Sequence, residues 1–330
     1  MPFLSETVVI LSEPILAVAI FEVVIGVVLL SRAADDFVEG AVNISAAARI
    51  SPVVVGAVIV GFGTSAPELL VSSIAAFNGD LGLGVGNVIG SNVANLSLVL
   101  ATAALIVPVL VTRAVLAREA PVALLSVLAF GYFVSTGGGL TRNEGIILLG
   151  GLVAVLVWTI STSRGPSDSS QELAATSVRM ADVVRTGLGL VGTVAGAQLL
   201  VWGAMAIADI VGLTGGFVGF TLVAVGTSLP ELVTAVVAAR KNQTDLILGN
   251  LLGSNMFNSL AVGGVIATIG PGVIEDESLS SLGVIVMVGV SVIAWVAMVT
   301  RRRVYRIEGV LLLAIWLGAV VALGRSAGAV

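Results

Sequence analysis

The sequence predicts an all-α polytopic membrane protein with ten transmembrane helices, arranged as two inverted-topology five-helix repeats. Three observations lead there. Of 330 residues, 57% are hydrophobic and 11% charged, against roughly 25% charged in soluble domains, and apolar runs of about 18 residues or more recur along the chain. A pair of motifs that begins at Gly61 is written again 163 residues later, which marks an internal repeat. Basic residues also segregate into alternate loops, as expected of a multi-pass chain.

Taken in order, the spans fall near 14–31, 52–77, 84–107, 121–137, 144–161, 183–211, 216–239, 246–269, 281–299 and 308–324. Ahead of the first, Met1 to Glu13 holds two glutamates and neither Lys nor Arg, so the basic region of a cleaved signal peptide is missing. With the N-terminus outside, the inner loops collect Arg32, Arg49, Arg113, Arg118, Arg164, Arg179, Arg185, Arg240, Lys241, Arg301, Arg302, Arg303 and Arg306. These are 13 of the 15 basic residues, leaving Arg142 and Arg325 outside. The outer loop at Glu275-Asp276-Glu277 is purely acidic. The split supports ten spans with both termini outside the cell membrane.

Five spans separate matching points of the repeat. Five is odd, so the second copy is upside down, the arrangement of secondary transporters whose substrate sits near the midplane between repeats. The first repeat covers 1–160, a cytoplasmic linker 161–182 and the second repeat 183–330. The linker, with Ser163-Arg164-Gly165-Pro166-Ser167-Asp168, is too short for a folded regulatory domain. The likeness extends past the motifs: Ala34, Gly40, Ala41 and Gly56 match Ala197, Gly203, Ala204 and Gly219.

The motifs themselves are Gly61-Phe62-Gly63-Thr64-Ser65-Ala66-Pro67-Glu68 with Gly86-Asn87-Val88-Ile89-Gly90-Ser91-Asn92, and Gly226-Thr227-Ser228-Leu229-Pro230-Glu231 with Gly249-Asn250-Leu251-Leu252-Gly253-Ser254-Asn255. A carboxylate within a span costs about 2.5–3.5 kcal/mol on insertion scales, yet Glu68 and Glu231 each lie near the middle of one. Pro67 and Pro230 lack an N–H and should break each helix. The break should free the carbonyls of Gly61 to Gly63 and of Ala224 to Gly226, and start a half-helix whose first turn favours the glutamate. Freed backbone at this depth needs a partner such as water or a cation. Thr64 and Glu68, like Thr227 and Glu231, are four apart and should share a face. Asn87, Ser91 and Asn95 form a stripe that Asn250, Ser254 and Asn258 repeat. Hydroxyl, amide, carboxylate and backbone oxygens suit hard cations such as calcium, sodium or magnesium.

Other chemistries have little to work with. The chain has no cysteine and no histidine, and a single lysine, which removes disulfides, thiol nucleophiles and the usual zinc and proton-relay groups. An intramembrane hydrolase lacks a nucleophile with its base. A channel is disfavoured by inverted repeats with midplane acids. Gly187-Leu188-Gly189-Leu190-Val191-Gly192 matches a dinucleotide-binding pattern but follows no strand. Small residues and Gly-x-x-x-Gly spacings also serve helix packing; two duplicated intramembrane glutamates do not reduce to packing. Glu22 reads equally as an ion-entry group or a snorkelling end residue. Spans 14–31 and 183–211 carry no motif oxygens but hold Gly26, Gly192, Gly196 and Gly203, so they are expected to slide against the motif helices.

The two motif pairs resemble the alpha-repeats of the cation/calcium exchanger superfamily, with the nearest likeness to microbial sodium/calcium exchangers, over essentially the whole chain. The resemblance implies ion ligands at Thr64, Ser65, Glu68, Ser91 and Asn95, and at Thr227, Ser228, Glu231, Ser254 and Asn258, joined by backbone carbonyls near Gly61 and Ala224. It implies electrogenic exchange of sodium for calcium by alternating access, with three sodium ions against one calcium. Many members carry an aspartate where this chain has Asn258, and its loss argues against potassium co-transport. Proton/calcium antiport is the alternative function. The expected partners are sodium and calcium ions and the lipid bilayer. No enzymatic activity, cofactor, nucleic acid or large regulatory domain is expected.

Overall fold

The computed structural model describes residues 3–48, 52–162, 178–210, 225–274 and 277–326. Helix α1 spans Phe3–Ala48 and α2 runs over 52–64, with a π-helical turn at Gly56–Val60. After a bend come α3 at Ala66–Phe77, α4 at Leu81–Ile106, α5 at Arg113–Ser135 and α6 at Arg142–Thr162. The second half holds α7 at Met180–Ile210, α8 at Leu229–Arg240, α9 at Thr244–Ile269, α10 at Leu279–Arg301 and α11 at Arg306–Ser326.

Among the described residues, six helices are long and apolar enough to cross a membrane, and seven if the bent pair α2–α3 is one span. Helices α7 and α11 occupy the positions of two more expected spans. Of the remaining one, 216–239, residues 216–224 lie outside the described residues, as does most of the 161–182 linker. The first helix corrects the expected 14–31: it has 46 residues, more than twice the roughly 20 a span requires. Its polar C-terminal half stays helical because it packs along α7.

That packing is close. On α7, Gly189, Gly192, Gly196 and Gly203 face Phe37, Ala33, Leu30 and Ala19 of α1, and a β-carbon at any of the four would collide with α1. Part of the dinucleotide-like run is therefore a helix-packing surface. Small residues let backbones approach where lipid supplies no hydrophobic force between helices. At one end Arg185 pairs with Asp36 at 2.7 Å and Glu39 at 2.6 Å, while Lys241, beyond α8, pairs with Asp35 at 3.1 Å. The sequence anticipated close contacts between these spans and the motif helices. Instead, the two first spans pack chiefly on each other.

The centre of the protein is α4 and α9, the most buried spans. Each carries a π-helical turn at the same place in its repeat, Asn95–Val99 and Asn258–Val262. Two short antiparallel ladders tie the halves together. Val109–Leu110 (β1) pairs with Arg303–Val304 (β4), and Gly139–Leu140 (β2) with Gly272–Val273 (β3). Each ladder joins the loop after the third span of one half to the loop before the fifth span of the other.

Candidate ion-binding site

The helix bearing Glu68 breaks as the proline predicts. Helices α2 and α3 meet at Ser65 with a bend of 43°, and Pro67 sits in the first turn of α3 beside Glu68. Ser228 (φ −86°, ψ 7°) reproduces the backbone of Ser65 (φ −81°, ψ 6°), and Pro230 and Glu231 open α8 in the same way. Each glutamate thus lies at a helix N-terminus, where unpaired N–H groups favour an anion. The expected release of the Gly61 carbonyl does not occur: Ser65 N still donates to it at 3.1 Å. Ala224 lies outside the described residues.

Glycines set the depth of the crossing between α2 and α9. A β-carbon on Gly56 or Gly61 would strike the backbone of α9 near Gly249 and Ser254, and one on Gly253 would strike Ala57. The close approach lets the Ser254 hydroxyl reach the Gly61 carbonyl at 3.3 Å.

The polar groups pair across the repeats as well as within them. Ser65 Oγ donates to Glu231 Oε1 at 3.2 Å, and Ser228 Oγ donates to Glu68 Oε1 at the same distance. Thr64 Oγ1 donates to Asn250 Oδ1 at 3.1 Å and Thr227 Oγ1 to Asn87 Oδ1 at 3.2 Å. Ser254 Oγ adds a second donor to Glu231 Oε1 at 3.2 Å, and Ser91 faces Glu68. Thr64 and Thr227, expected to share a face with Glu68 and Glu231, donate to the asparagines Asn250 and Asn87 of the other repeat.

Both carboxylates are fully buried, as are Thr64, Ser91, Asn95, Ser254 and Asn258. Ser65, Ser228 and Thr227 are buried as well. Glu68 and Glu231 lie within electrostatic reach of each other. Among the described residues, the Oε2 atoms of both, Asn95 Oδ1 and both ends of the Asn258 amide have no hydrogen-bond partner. Buried polar atoms without partners are costly, and two like charges in one dry site more so. A hard cation would answer both deficits, because its preferred ligands are oxygens of these kinds. Among the described residues, no group of three or more Asp, Glu, His or Cys side chains is placed to hold a metal. A cation here would be met by two carboxylates and neutral oxygens.

Asn87 and Asn250, placed in the polar stripe but not among the implied ligands, belong to this network, as does Ser72, which the sequence did not single out. Asn87 Nδ2 donates to Ser72 Oγ at 2.9 Å. The signal for the two asparagines was in the sequence, as the residue after the glycine that opens each second motif; Ser72 has no repeat counterpart, since Ala235 stands at its matching position.

This architecture has known relatives. The model of the family described as sodium/calcium exchanger protein matches residues 18–161 and 183–324. Antiporter CaxA of Alkalimonas amylolytica is 39% identical over 312 residues, covering 91% of this chain and 97% of that protein. Sodium/calcium exchanger MaX1 of Methanosarcina acetivorans is 28% identical over 340 residues, covering 91% and 96%. A solved structure of the sodium-calcium exchanger NCX_Mj, soaked with Na+ and Sr2+, superposes with a TM-score of 0.83 at 29% identity, covering 93% of this chain and 99% of that one. With its buried acids exchanged between two copies of one motif, the chain belongs to the sodium/calcium exchanger protein family of multi-pass membrane antiporters.

Proposed function

We propose that this protein exchanges sodium for calcium by alternating access, at one midplane site built from both repeats. The observation that carries the reading is the reciprocal pair Ser65–Glu231 and Ser228–Glu68, which leaves one free oxygen on each buried carboxylate. The ligands are Thr64, Ser65, Glu68, Ser91 and Asn95 with Thr227, Ser228, Glu231, Ser254 and Asn258, assisted by carbonyls at Gly61 and Ala224. The ion in each case is cargo. The names of MaX1 and NCX_Mj, both sodium/calcium exchangers, support sodium as the coupling ion.

The two ladders support an inverted arrangement of ten spans, 1–160 against 183–330. Loops β1 and β2 are separated by one span, α5, and so belong to opposite faces; β3 and β4 are separated by α10. Pairing β1 with β4 and β2 with β3 fits halves that are opposed. The distribution of arginines supports both termini outside.

Glu68 and Glu231 supply two negative charges, which one calcium balances. Three sodium ions would leave the site at plus one, held by neutral oxygens whose dipoles are strong in a dry site. Exchange would then move charge, and each elementary charge is worth about 2.3 kcal/mol per 100 mV. In proteoliposomes loaded with sodium, isotopic calcium uptake should require the sodium gradient, and because each cycle carries one net positive charge outward, an interior-positive potassium–valinomycin potential should speed it and an interior-negative one slow it. Uptake that follows a pH gradient without sodium would overturn the sodium reading, and indifference to voltage would overturn three-for-one coupling.

A further inference from the structure

Asn92 and Asn255 occupy matching places, one residue after Ser91 and Ser254, and both side chains are fully buried. Asn255 Nδ2 donates to the Asn92 backbone carbonyl at 3.2 Å. A carbonyl can only accept, so the Asn255 amide must face it nitrogen-first. Its Oδ1 turns to Asn95 and accepts from Asn95 Nδ2 at 3.0 Å. That bond fixes the Asn95 amide in turn, and Asn95 Oδ1 is its free, buried end.

The repeat maps the Asn95–Asn255 bond onto a bond from Asn258 Nδ2 to Asn92 Oδ1. Both of those atoms are buried and, among the described residues, without a partner. Asn92 Nδ2 instead donates to Ser259 Oγ at 3.1 Å and to Met287 Sδ at 3.5 Å. A thioether only accepts, so Asn92 Oδ1 is the open end. The cause of the difference is in the sequence: Ser259 and Met287 are matched by Leu96 and Leu124, which offer Asn255 no such acceptor.

We propose that Asn92 and Asn255 are positioning residues for the cation, each accepting the amide nitrogen of a ligand from the opposite repeat so that its oxygen is presented to the ion. A side-chain amide that approaches a cation must direct its two N–H donors elsewhere, and Asn255 receives one of those of Asn95. The equivalent bond, Asn258 to Asn92, closes when the cation loads. Asn95 is a preset ligand and Asn258 one that is recruited. This rests on reading Asn95 and Asn258 as ligands.

The test is a crossed double-mutant matrix on purified full-length protein, read as the calcium concentration for half-maximal binding of the radioisotope. Asn92→Leu and Asn255→Leu should each weaken calcium binding roughly three- to tenfold, the scale of one lost orienting hydrogen bond. Asn92→Leu should add nothing in an Asn258→Ala background and keep its full effect with Asn95→Ala. Asn255→Leu should show the reverse. Additive losses in all four pairings, or equal coupling in all four, would overturn the positioning role. If Asn95→Ala and Asn258→Ala themselves leave calcium binding unchanged, the ligand reading fails, and this proposal with it. Asn92→Ser and Asn255→Ser, which remove the amide with less change of shape, carry the same expectations where a leucine variant does not fold.

Discussion

In the first copy of the motif Asn87 is tied at both ends: its oxygen accepts from Thr227 and its nitrogen donates to Ser72. In the second copy Asn250 accepts from Thr64, but Ala235 replaces the serine and the Asn250 nitrogen has no partner. Asn95 is held by Asn255, whereas among the described residues neither end of the Asn258 amide has a partner. The atoms that would touch an ion are thus nearly duplicated, while the groups behind them are not. Two halves with equal ligands and unequal supports need not load, occlude or release an ion with equal energy. Under the proposed alternating-access cycle, such halves would give inward- and outward-facing states of unequal energy.

The largest effect that sharpens this comparison concerns which parts move. The α1–α7 pair is bound together along a run of glycines but reaches the motif helices at fewer points, among them the Lys241–Asp35 ion pair. Since the chain has no cysteine, engineered pairs are unambiguous. A short cross-linker joining Asp35→Cys to Lys241→Cys should stop calcium exchange while calcium binding persists. The same linker between Asp36→Cys and Arg185→Cys, both within the α1–α7 pair, should leave exchange largely intact. Full exchange in a verified Asp35–Lys241 cross-link would show that the two bodies do not move apart.

A smaller effect separates the supports. Ser72→Ala should leave the Asn87 nitrogen only its long bond to the Glu68 carbonyl, 3.5 Å, and destabilise the protein by about 1 kcal/mol. Ala235→Ser should give Asn250 the partner it lacks and raise or preserve stability. Thermal unfolding in one detergent reads both, and equal destabilisation by the two substitutions would contradict the assignment of Ser72 as a support.

Much of this was legible in the chain itself. The 163-residue repeat picked out Glu68 and Glu231, and the prolines located the bends at Ser65 and Ser228 to within two residues. Spacing along one helix, however, grouped Thr64 with Glu68, because periodicity assumes a straight helix and reports nothing about the other repeat. With the helix turned by 43°, the side-chain oxygen that accepts from Thr64 is Asn250 Oδ1, 186 positions away. The π-helical turns at Asn95 and Asn258 left no mark in composition either, nor did the two-residue ladders, which are shorter than any pattern a strand leaves. The length of α1 was missed for a related reason. Its polar half, with Asp35, Asp36 and Glu39, reads as a loop until Arg185 and Lys241 are seen to neutralise it.

The central claim is that two acids from opposite repeats form one calcium site. The direct measurement is calcium titration of the purified protein, sodium-free and then with sodium, for the native chain, Glu68→Gln and Glu231→Gln. The account predicts one calcium per chain, displaced by sodium, and lost in either variant by a factor of at least about 100, since removing one of two charges facing a divalent ion in a dry site costs several kcal/mol. Two calcium ions per native chain, or near-native binding that survives in one of the variants, would contradict it.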